Sequence, residues 1–201
     1  MSGREDILSA IRARRVKTEA RPSPYRAPAI TDDLAAQFEK RATRTNAEVR
    51  RLASIADVPA AIADVLRQRN MKAAIHMPSG SDKLLWQSAP GLMRESTPPG
   101  PDDAALAFAP LAIAETGTLA YASTPNAPAS WHFRAGLEIA ILRKEDILPH
   151  MENALARIKA NGALPRTVNF VTGPSRTGDI EQTLELGAHG PKELVILLVE
   201  G

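Results

Sequence analysis

Apolar residues recur along this chain with two spacings, which predict alternating strands and helices. Ala73–Met77, Leu137–Leu142 and Leu194–Val199 are short apolar-rich segments, as expected of strands that are buried on both faces. Val58–Asn70 and Asp146–Ala160 place apolar residues at helical spacing. Because such strands alternate with helices, the pattern predicts an α/β fold with an open, mostly parallel sheet covered by helices on both faces.

Other predicted elements complete this core. A helix is predicted over Thr31–Lys40, and strands are predicted over Val49–Ile55, Leu119–Ala122 and Val168–Val171. The last of these strands runs into the sequence GPSRTGDIE, whose hydroxyl and acidic residues predict a helix start.

The first thirty residues differ from the rest. Gly3–Val16 predicts a helix with a narrow apolar face, suited to docking on the main domain or on a second protein, and Arg21–Pro28 is a proline-rich linker. The predicted organisation is therefore an N-terminal helix and linker over residues 1–30 and an α/β domain over residues 31–201.

Composition restricts the chemistry of this chain. Its 201 residues, 44% hydrophobic, are enough for one core, and the absence of cysteine excludes disulfides and thiolate-bound zinc or iron–sulfur clusters within it. None of the four histidines has the spacing of a metal site, so no metal is predicted.

Charge is distributed unevenly along the sequence. Residues 1–100 carry 17 Lys and Arg against 11 Asp and Glu, whereas residues 101–201 carry 8 against 12, which suggests a partner-facing N-terminal region. Aromatic residues are too scarce to favour nucleic-acid binding. The longest apolar run, Ala104–Ala114, contains Pro110 and is too short for a membrane span, and the N terminus lacks a secretory signal, so we expect a cytoplasmic protein.

The turn after the strand Val168–Val171 is the first candidate site. Gly173 permits a tight turn, and Ser175, Thr177 and the charged Arg176 are suited to binding phosphate or carboxylate. The same residues are also consistent with an ordinary helix cap, and the two roles are compatible.

Two further glycine-containing turns join this candidate. In the sequence AETGT, Glu115 has apolar neighbours and is a candidate for acid–base or nucleophilic catalysis, or alternatively for capping amides or pairing with Arg176. Thr116, Gly117 and Thr118 are its candidate ligand-binding neighbours. In the sequence GAHGP, His189 is either a ligand-binding residue or a turn histidine bonded to the backbone. We expect the three turns to converge on one pocket for a small anion.

Three blocks in order carry a family resemblance: AIAETGTL at Ala112–Leu119, FVTGPSRTGDIE at Phe170–Glu181 and GAHGPKEL at Gly187–Leu194. Together they resemble the LUD domain family, and within it the lactate utilization protein C branch, over about residues 47–199. The resemblance implies a fold similar to the sugar-isomerase and coenzyme A transferase superfamily. It also implies a role in oxidising L-lactate to pyruvate with iron–sulfur partner proteins that carry the clusters.

The resemblance is incomplete in one segment. Where the family has a His-Ile pair, this chain reads Leu137-Glu138-Ile139, preceded by Trp131-His132-Phe133-Arg134, so no role is carried over for that histidine. Two rival hypotheses remain open. One is a stand-alone transferase or isomerase that uses Glu115, and the other is a non-catalytic scaffold that docks iron–sulfur proteins through its basic first hundred residues.

Overall fold

The structure is a computed structural model that describes residues 3–14, 27–30, 33–78, 84–124, 129–160, 162, 165–177, 185–187 and 190–201, with backbone only at 129, 130, 177, 185 and 186. Its helices are α1 (Gly3–Ala13), α2 (Leu34–Arg44), α3 (Val58–Gln68) and α4 (Met151–Ala160). Its strands are β1 (Glu48–Leu52), β2 (Ala74–His76), β3 (Met93–Glu95), β4 (Ala104–Ala109), β5 (Leu111–Ile113), β6 (Thr118–Ala122), β7 (Leu137–Arg143), β8 (Ile147–Leu148), β9 (Val168–Val171), β10 (Arg176–Thr177), β11 (Glu185–Leu186) and β12 (Glu193–Val199).

The main sheet has six strands in the order β1-β12-β7-β4-β2-β3, and every neighbouring pair is parallel. The central strands β7 and β12 are buried along nearly their whole length, because both faces of the sheet are covered. The predicted fold class, an open and mostly parallel α/β sheet, is confirmed.

Side chains that alternate along the central strands divide the core into two layers. In β7, Leu137, Ile139 and Ile141 face the layer that contains α3, whereas Ala140 and Leu142 face the layer that contains α2 and a second sheet. Alternation of this kind follows from the two-residue period of a strand. Small alanine side chains on the second face allow the two sheets to approach closely.

The second sheet positions the candidate site. It has four strands in the order β8-β5-β6-β9, and α4 packs on it through Ile158. Strand β9 pairs antiparallel with β6. The strand that leads into the predicted anion site therefore belongs to this smaller sheet and not to the parallel one, so its end is not at the carboxyl edge of the main sheet.

Two predicted helices differ from the structure. The helix predicted over Asp146–Ala160 begins at Met151, because Ile147 and Leu148 pair with β5 as strand β8 and Pro149 disfavours helix in the residue before it. The helix predicted to start in GPSRTGDIE is also wrong at its beginning. Arg176 and Thr177 form strand β10, which pairs antiparallel with β11.

Helix α1 contains no buried residue, and Ile7 and Ile11 on its apolar side are more than half exposed. The boundary predicted near residue 30 stays a prediction. In the part of the chain that the structure describes, no helix is both long and apolar enough to cross a bilayer.

Candidate functional site

The first predicted turn, at Glu115–Thr118, connects β5 to β6. Gly117 adopts a φ of +70°, which only glycine adopts without strain, and its N–H donates to the carbonyl of Ile113 at 2.9 Å. The hydroxyls of Thr116 and Thr118 are 2.6 Å apart. The turn is therefore rigid and presents hydroxyl groups next to the candidate acid.

The first and second turns meet directly. The Thr118 hydroxyl is hydrogen-bonded to the hydroxyl of Thr172 at 2.7 Å, so Thr116, Thr118 and Thr172 form a continuous chain of hydroxyls. This contact exists because β6 and β9 are antiparallel neighbours, which brings the start of one strand to the end of the other. Sequence reasoning did not single out Thr172, although it directly precedes Gly173.

Close packing against α2 explains why Gly117 and Gly173 must be glycine. A Cβ added at Gly117 would lie 2.3 Å from the backbone nitrogen of Ala42, and one added at Gly173 would lie 2.3 Å from the carbonyl oxygen of Thr45. Neither distance is possible for a real side chain. The glycines therefore allow the C-terminal end of α2 to pack against both turns.

The third turn joins the second through Ser175. Its N–H donates to the carbonyl of Pro191 at 2.9 Å, and its carbonyl accepts from the N–H of Gly187 at 3.2 Å. Gly190 approaches the same residue closely. The three turns thus form one continuous junction, defined here by residues 115–118, 172–175 and 187–191, as far as these residues are described.

Not every predicted site residue can be placed at the junction. His189 and the side chain of Thr177 lie outside the described residues. Arg176 is exposed, and its backbone belongs to the β10-β11 ribbon, so the amides that follow Gly173 do not form a helix N-terminus at Arg176 and Thr177. The predicted anion site therefore lacks the free helix amides expected at Arg176 and Thr177 and offers mainly side chains.

The candidate acid Glu115 forms a pair that sequence reasoning missed. Its Oε2 lies 3.0 Å from Nδ1 of His150, and its N–H donates to the carbonyl of Pro149 at 3.1 Å. The Glu115 side chain is 41% exposed and that of His150 is 11% exposed. The parallel pairing of β8 with β5 brings these residues together, which the predicted helix over Asp146–Ala160 did not allow. The junction therefore holds a solvent-accessible carboxylate–imidazole pair.

A positively charged surface lies beside the junction. A shallow groove of about 440 Å³ along α2 is lined by Lys40, Arg41 and Arg44, together with Asp33. The backbone and Cβ of Arg41 occupy the space that a side chain at Gly117 would need. The helix that packs against the first two turns therefore carries a cluster of cations on its surface, and such a cluster favours anions.

A second carboxylate–imidazole pair is buried elsewhere in the domain. Glu138, on the central strand β7, is 1% exposed, and its Oε1 accepts from the Tyr121 hydroxyl at 2.8 Å and lies 3.2 Å from Nδ1 of His132. The rings of Tyr121 and His132 are stacked, with centroids 3.9 Å apart. A glutamate inside an otherwise apolar strand was the sequence signal for this cluster.

Burial changes the ionisation of one member of this buried cluster. Burial, reinforced by the charge of Glu138 and by the hydrogen bond to it, holds the pKa of Tyr121 well above its usual value. The phenol therefore remains a neutral donor to Glu138. In the described ranges, no group of three or more His, Asp or Glu side chains has an arrangement that holds a metal ion.

Comparison with known proteins identifies the part of the chain that contains the junction. Residues 102–199 match the LUD domain. The chain is 36% identical over 98 residues to lactate utilization protein C of Geobacillus kaustophilus and 36% identical over 98 residues to that of Bacillus subtilis. These matches cover 47% of this chain but only 41% of each relative, so the chain matches about two fifths of their length.

One solved structure is similar over most of the fold. The crystal structure of a DUF162 family protein from Deinococcus radiodurans has a TM-score of 0.63 and 22% sequence identity, and the match covers 86% of this chain and 99% of that chain. At this identity the similarity supports the fold alone. The resemblance to the LUD domain family is confirmed by the domain match over residues 102–199, which contains all three turns, and by the relatives named lactate utilization protein C.

Proposed function

We propose that this chain takes part in lactate utilization, as a cytoplasmic subunit that binds a small hydroxy- or keto-carboxylate at the junction of the three turns. Two relatives that are 36% identical to this chain over 98 residues carry the name lactate utilization protein C. The family resemblance implies partner proteins with iron–sulfur clusters, and the chain itself contains no cysteine to bind such clusters.

The pairing of Glu115 with His150 is the observation that carries this proposal. A carboxylate that hydrogen-bonds one imidazole nitrogen orients the ring and supports the other nitrogen as a proton acceptor. Because the Glu115 side chain is 41% exposed, this pair is reachable by a metabolite from solvent. The threonine hydroxyls of the junction can donate hydrogen bonds to a carboxylate group, and the cations of α2 are carried by the helix that packs against the same turns.

The chemistry of lactate oxidation assigns a limited task to this pair. Conversion of lactate to pyruvate removes two electrons and two protons, one of them from the hydroxyl group. In our proposal the imidazole of His150, held by Glu115, accepts the hydroxyl proton, and the cations beside it hold the carboxylate. The electrons and the second proton pass to an acceptor supplied by the partner proteins.

Growth on L-lactate tests the role of the chain. A strain that lacks the gene is expected to lose growth on L-lactate and to regain it with the wild-type gene. Complementation with Glu115→Gln should fail or slow growth, because the amide no longer supports the imidazole of His150 as a proton acceptor. Glu152→Gln, which changes an exposed glutamate in the first turn of α4, is the matched control and should restore growth. Unchanged growth of the deletion strain would refute the proposal.

Ligand binding separates the proposal from its rivals. A ligand that binds only the native state raises the midpoint of thermal unfolding. We expect L-lactate or pyruvate to raise it in the wild type and in Glu152→Gln, but not in Glu115→Gln. Turnover of a coenzyme A thioester or a sugar phosphate by the isolated chain would favour the transferase or isomerase. No shift with any of these compounds would favour the scaffold.

A further inference from the structure

The buried Glu138 cluster is not explained by the fold. Its neighbours on β7 from Leu137 to Leu142 are all buried, and an apolar side chain at position 138 would continue the strand without the cost of burying a carboxylate. Partner groups from β6 and from the 3-10 helix Ala129–Phe133 converge on Glu138. Three separate segments thus maintain one buried polar cluster.

The hydrogen bonds of the cluster determine the state of His132. Oε1 of Glu138 accepts from the Tyr121 hydroxyl, and the pairing with Nδ1 of His132 favours the tautomer that carries its proton on Nδ1. In that tautomer Nε2 is a hydrogen-bond acceptor. Among the described residues, the second oxygen of Glu138 is buried without a hydrogen-bond partner.

A cavity of about 180 Å³ lies next to this cluster. Tyr121 and His132 form part of its wall, and the rest of the described wall is mainly apolar. At about 30 Å³ for each water in the liquid, this volume corresponds to about six waters, or to a small metabolite. The cavity is therefore large enough for a ligand. Its wall includes the imidazole of His132, which is hydrogen-bonded to Glu138.

Asn169 also belongs to the wall of this cavity. It lies directly opposite Tyr121 in the antiparallel pairing of β6 with β9, so the two side chains share one face of the sheet. Its Nδ2 is buried and has no hydrogen-bond partner in the described part of the chain. Buried amide donors without partners are costly, and a bound ligand would supply the missing acceptor.

The charge of the cavity selects the class of ligand. No Lys or Arg belongs to its described wall, and the carboxylate of Glu138 lies behind both aromatic rings. An anion would lose its hydration there without gaining a cation. We propose that this cavity is a second ligand site, distinct from the junction, which binds a small uncharged hydroxyl compound between Nε2 of His132 and the side-chain amide of Asn169. Glu138 is a positioning residue that holds the tautomer of His132.

Matched pairs of small probes test the proposed class. Propane-1,2-diol and L-lactate share a carbon skeleton, but the diol has a hydroxymethyl group where lactate has a carboxylate. Hydroxyacetone and pyruvate form a second pair with the same difference. Binding is followed in the full chain by ¹⁵N NMR of the histidine side chains, of which there are four. Loss of one set of signals in His132→Phe assigns those of His132.

The uncharged probes are expected to shift the His132 signals, whereas the carboxylates leave them unchanged. Binding should weaken at least about tenfold in Asn169→Leu and in His132→Phe, since each loses a ligand hydrogen bond in an apolar site. His132→Phe lacks the imidazole that reports binding, so in this variant binding is followed by NMR saturation transfer from the protein to the probe. His76→Asn is the matched control, because His76 is similarly buried but does not belong to the described cavity wall, and its probe binding should equal that of the wild type.

The Glu138→Gln variant tests the positioning role separately from folding. It keeps an oxygen for the Tyr121 hydroxyl but removes the charge, so we expect a mixture of His132 tautomers in the ¹⁵N spectrum of the folded protein. An unchanged tautomer with unchanged probe binding would overturn the role of Glu138. Absence of any probe effect at up to about 0.1 M in the folded wild type would overturn the site.

One positive result would also overturn the proposed ligand class. Arg157 lines a neighbouring cavity of about 380 Å³ that shares Ser123 and Thr124 with the first. If the carboxylates perturb His132, and this effect is lost in Arg157→Gln, the ligand is an anion that reaches across both cavities. Growth on L-lactate is a separate readout, so failure of this proposal and failure of the proposed function are distinguishable.

Discussion

The domain contains two carboxylate–imidazole pairs of the same chemical type in opposite surroundings. In the junction, Glu115 and His150 are 3.0 Å apart, and their side chains are 41% and 11% exposed. In the core, Glu138 and His132 are 3.2 Å apart, and their side chains are 2% and 8% exposed. The first pair is much more exposed to water than the second, so similar distances correspond to very different energies.

The difference also concerns what each pair is suited to do. A pair that is open to solvent, in a turn packed against the cation-bearing helix α2, is suited to charged metabolites. A pair behind an apolar wall is suited to an uncharged molecule and is costly to leave without partners. The comparison teaches that geometry alone does not define a site, because the surroundings decide which ligand gains by entering it.

Truncation of the two glutamates should give the largest difference. Glu138→Ala leaves the Tyr121 hydroxyl and the His132 ring buried without their acceptor, so we expect a loss of about 3–5 kcal/mol in the free energy of unfolding. Glu115→Ala should lose less than about 1 kcal/mol, as for an exposed pair. Urea denaturation of both variants measures this. Equal losses would show that the two pairs do not differ in energy.

The next largest effect tests how the exposed pair is held in place. Gly117→Ala introduces both an unfavourable positive φ and a contact with the backbone of α2, so we expect a loss of about 2–3 kcal/mol. Gly162→Ala is the control. It also has a positive φ but meets nothing within 4 Å, and it should lose about 1 kcal/mol. Thermal or urea unfolding measures the difference.

If the two glycine variants have the same stability, close packing on α2 does not fix the turn at Gly117. If Gly117 instead served only a ligand, Gly117→Ala would lose no more stability than Gly162→Ala and would also alter the binding of L-lactate or pyruvate. The pair of variants therefore distinguishes a structural role of this turn from a purely functional one.

The smallest predicted effect is a pH dependence of stability, and it concerns the buried pair only. Tyr121→Phe should cost about 1 kcal/mol at neutral pH, since one buried hydrogen bond to Glu138 is lost. Burial and the charge of Glu138 raise the pKa of Tyr121 in the folded state. The stability that this raised pKa contributes is complete below the unfolded value of about 10 and is lost as the pH rises through the folded value.

The wild type should therefore lose its advantage over Tyr121→Phe as the pH rises above about 10. Urea unfolding of both proteins across this range measures the difference, in which the other titrating groups cancel. A constant or growing difference would contradict the assigned direction of the pKa shift.

Much of the fold could be predicted from the sequence because its signals are local. The strand Val168–Val171 is confirmed at both ends, and Leu194–Val199 is confirmed to within one residue. The helix predicted over Asp146–Ala160 is wrong at its start, because the helical spacing of Ile147 and Met151 takes no account of Pro149, which disfavours helix in the residue before it. Strand β4, Ala104–Ala109, was not predicted as a strand. A continuous apolar run has no alternation of polar and apolar residues, so it does not distinguish a strand from a buried helix.

The candidate site was predicted in part. The sequence motifs indicated three turns and Glu115, and the first turn contacts the second through Thr118 and Thr172. His150 was not predicted as its partner, because that contact requires β8 to pair with β5. The roles of the nine predicted site residues in ligand binding stay predictions, and His189 lies outside the described residues.

The sequence by itself determined the alternation of apolar strands and helices, the absence of thiol ligands and the positions where glycine permits a turn. Each of these depends on a residue and its near neighbours. The tertiary structure alone decided that His150 meets Glu115 and that Tyr121 and His132 meet Glu138. Strand pairing and burial depend on residues far apart in the chain, and they also determine which of the two pairs is the more exposed to solvent.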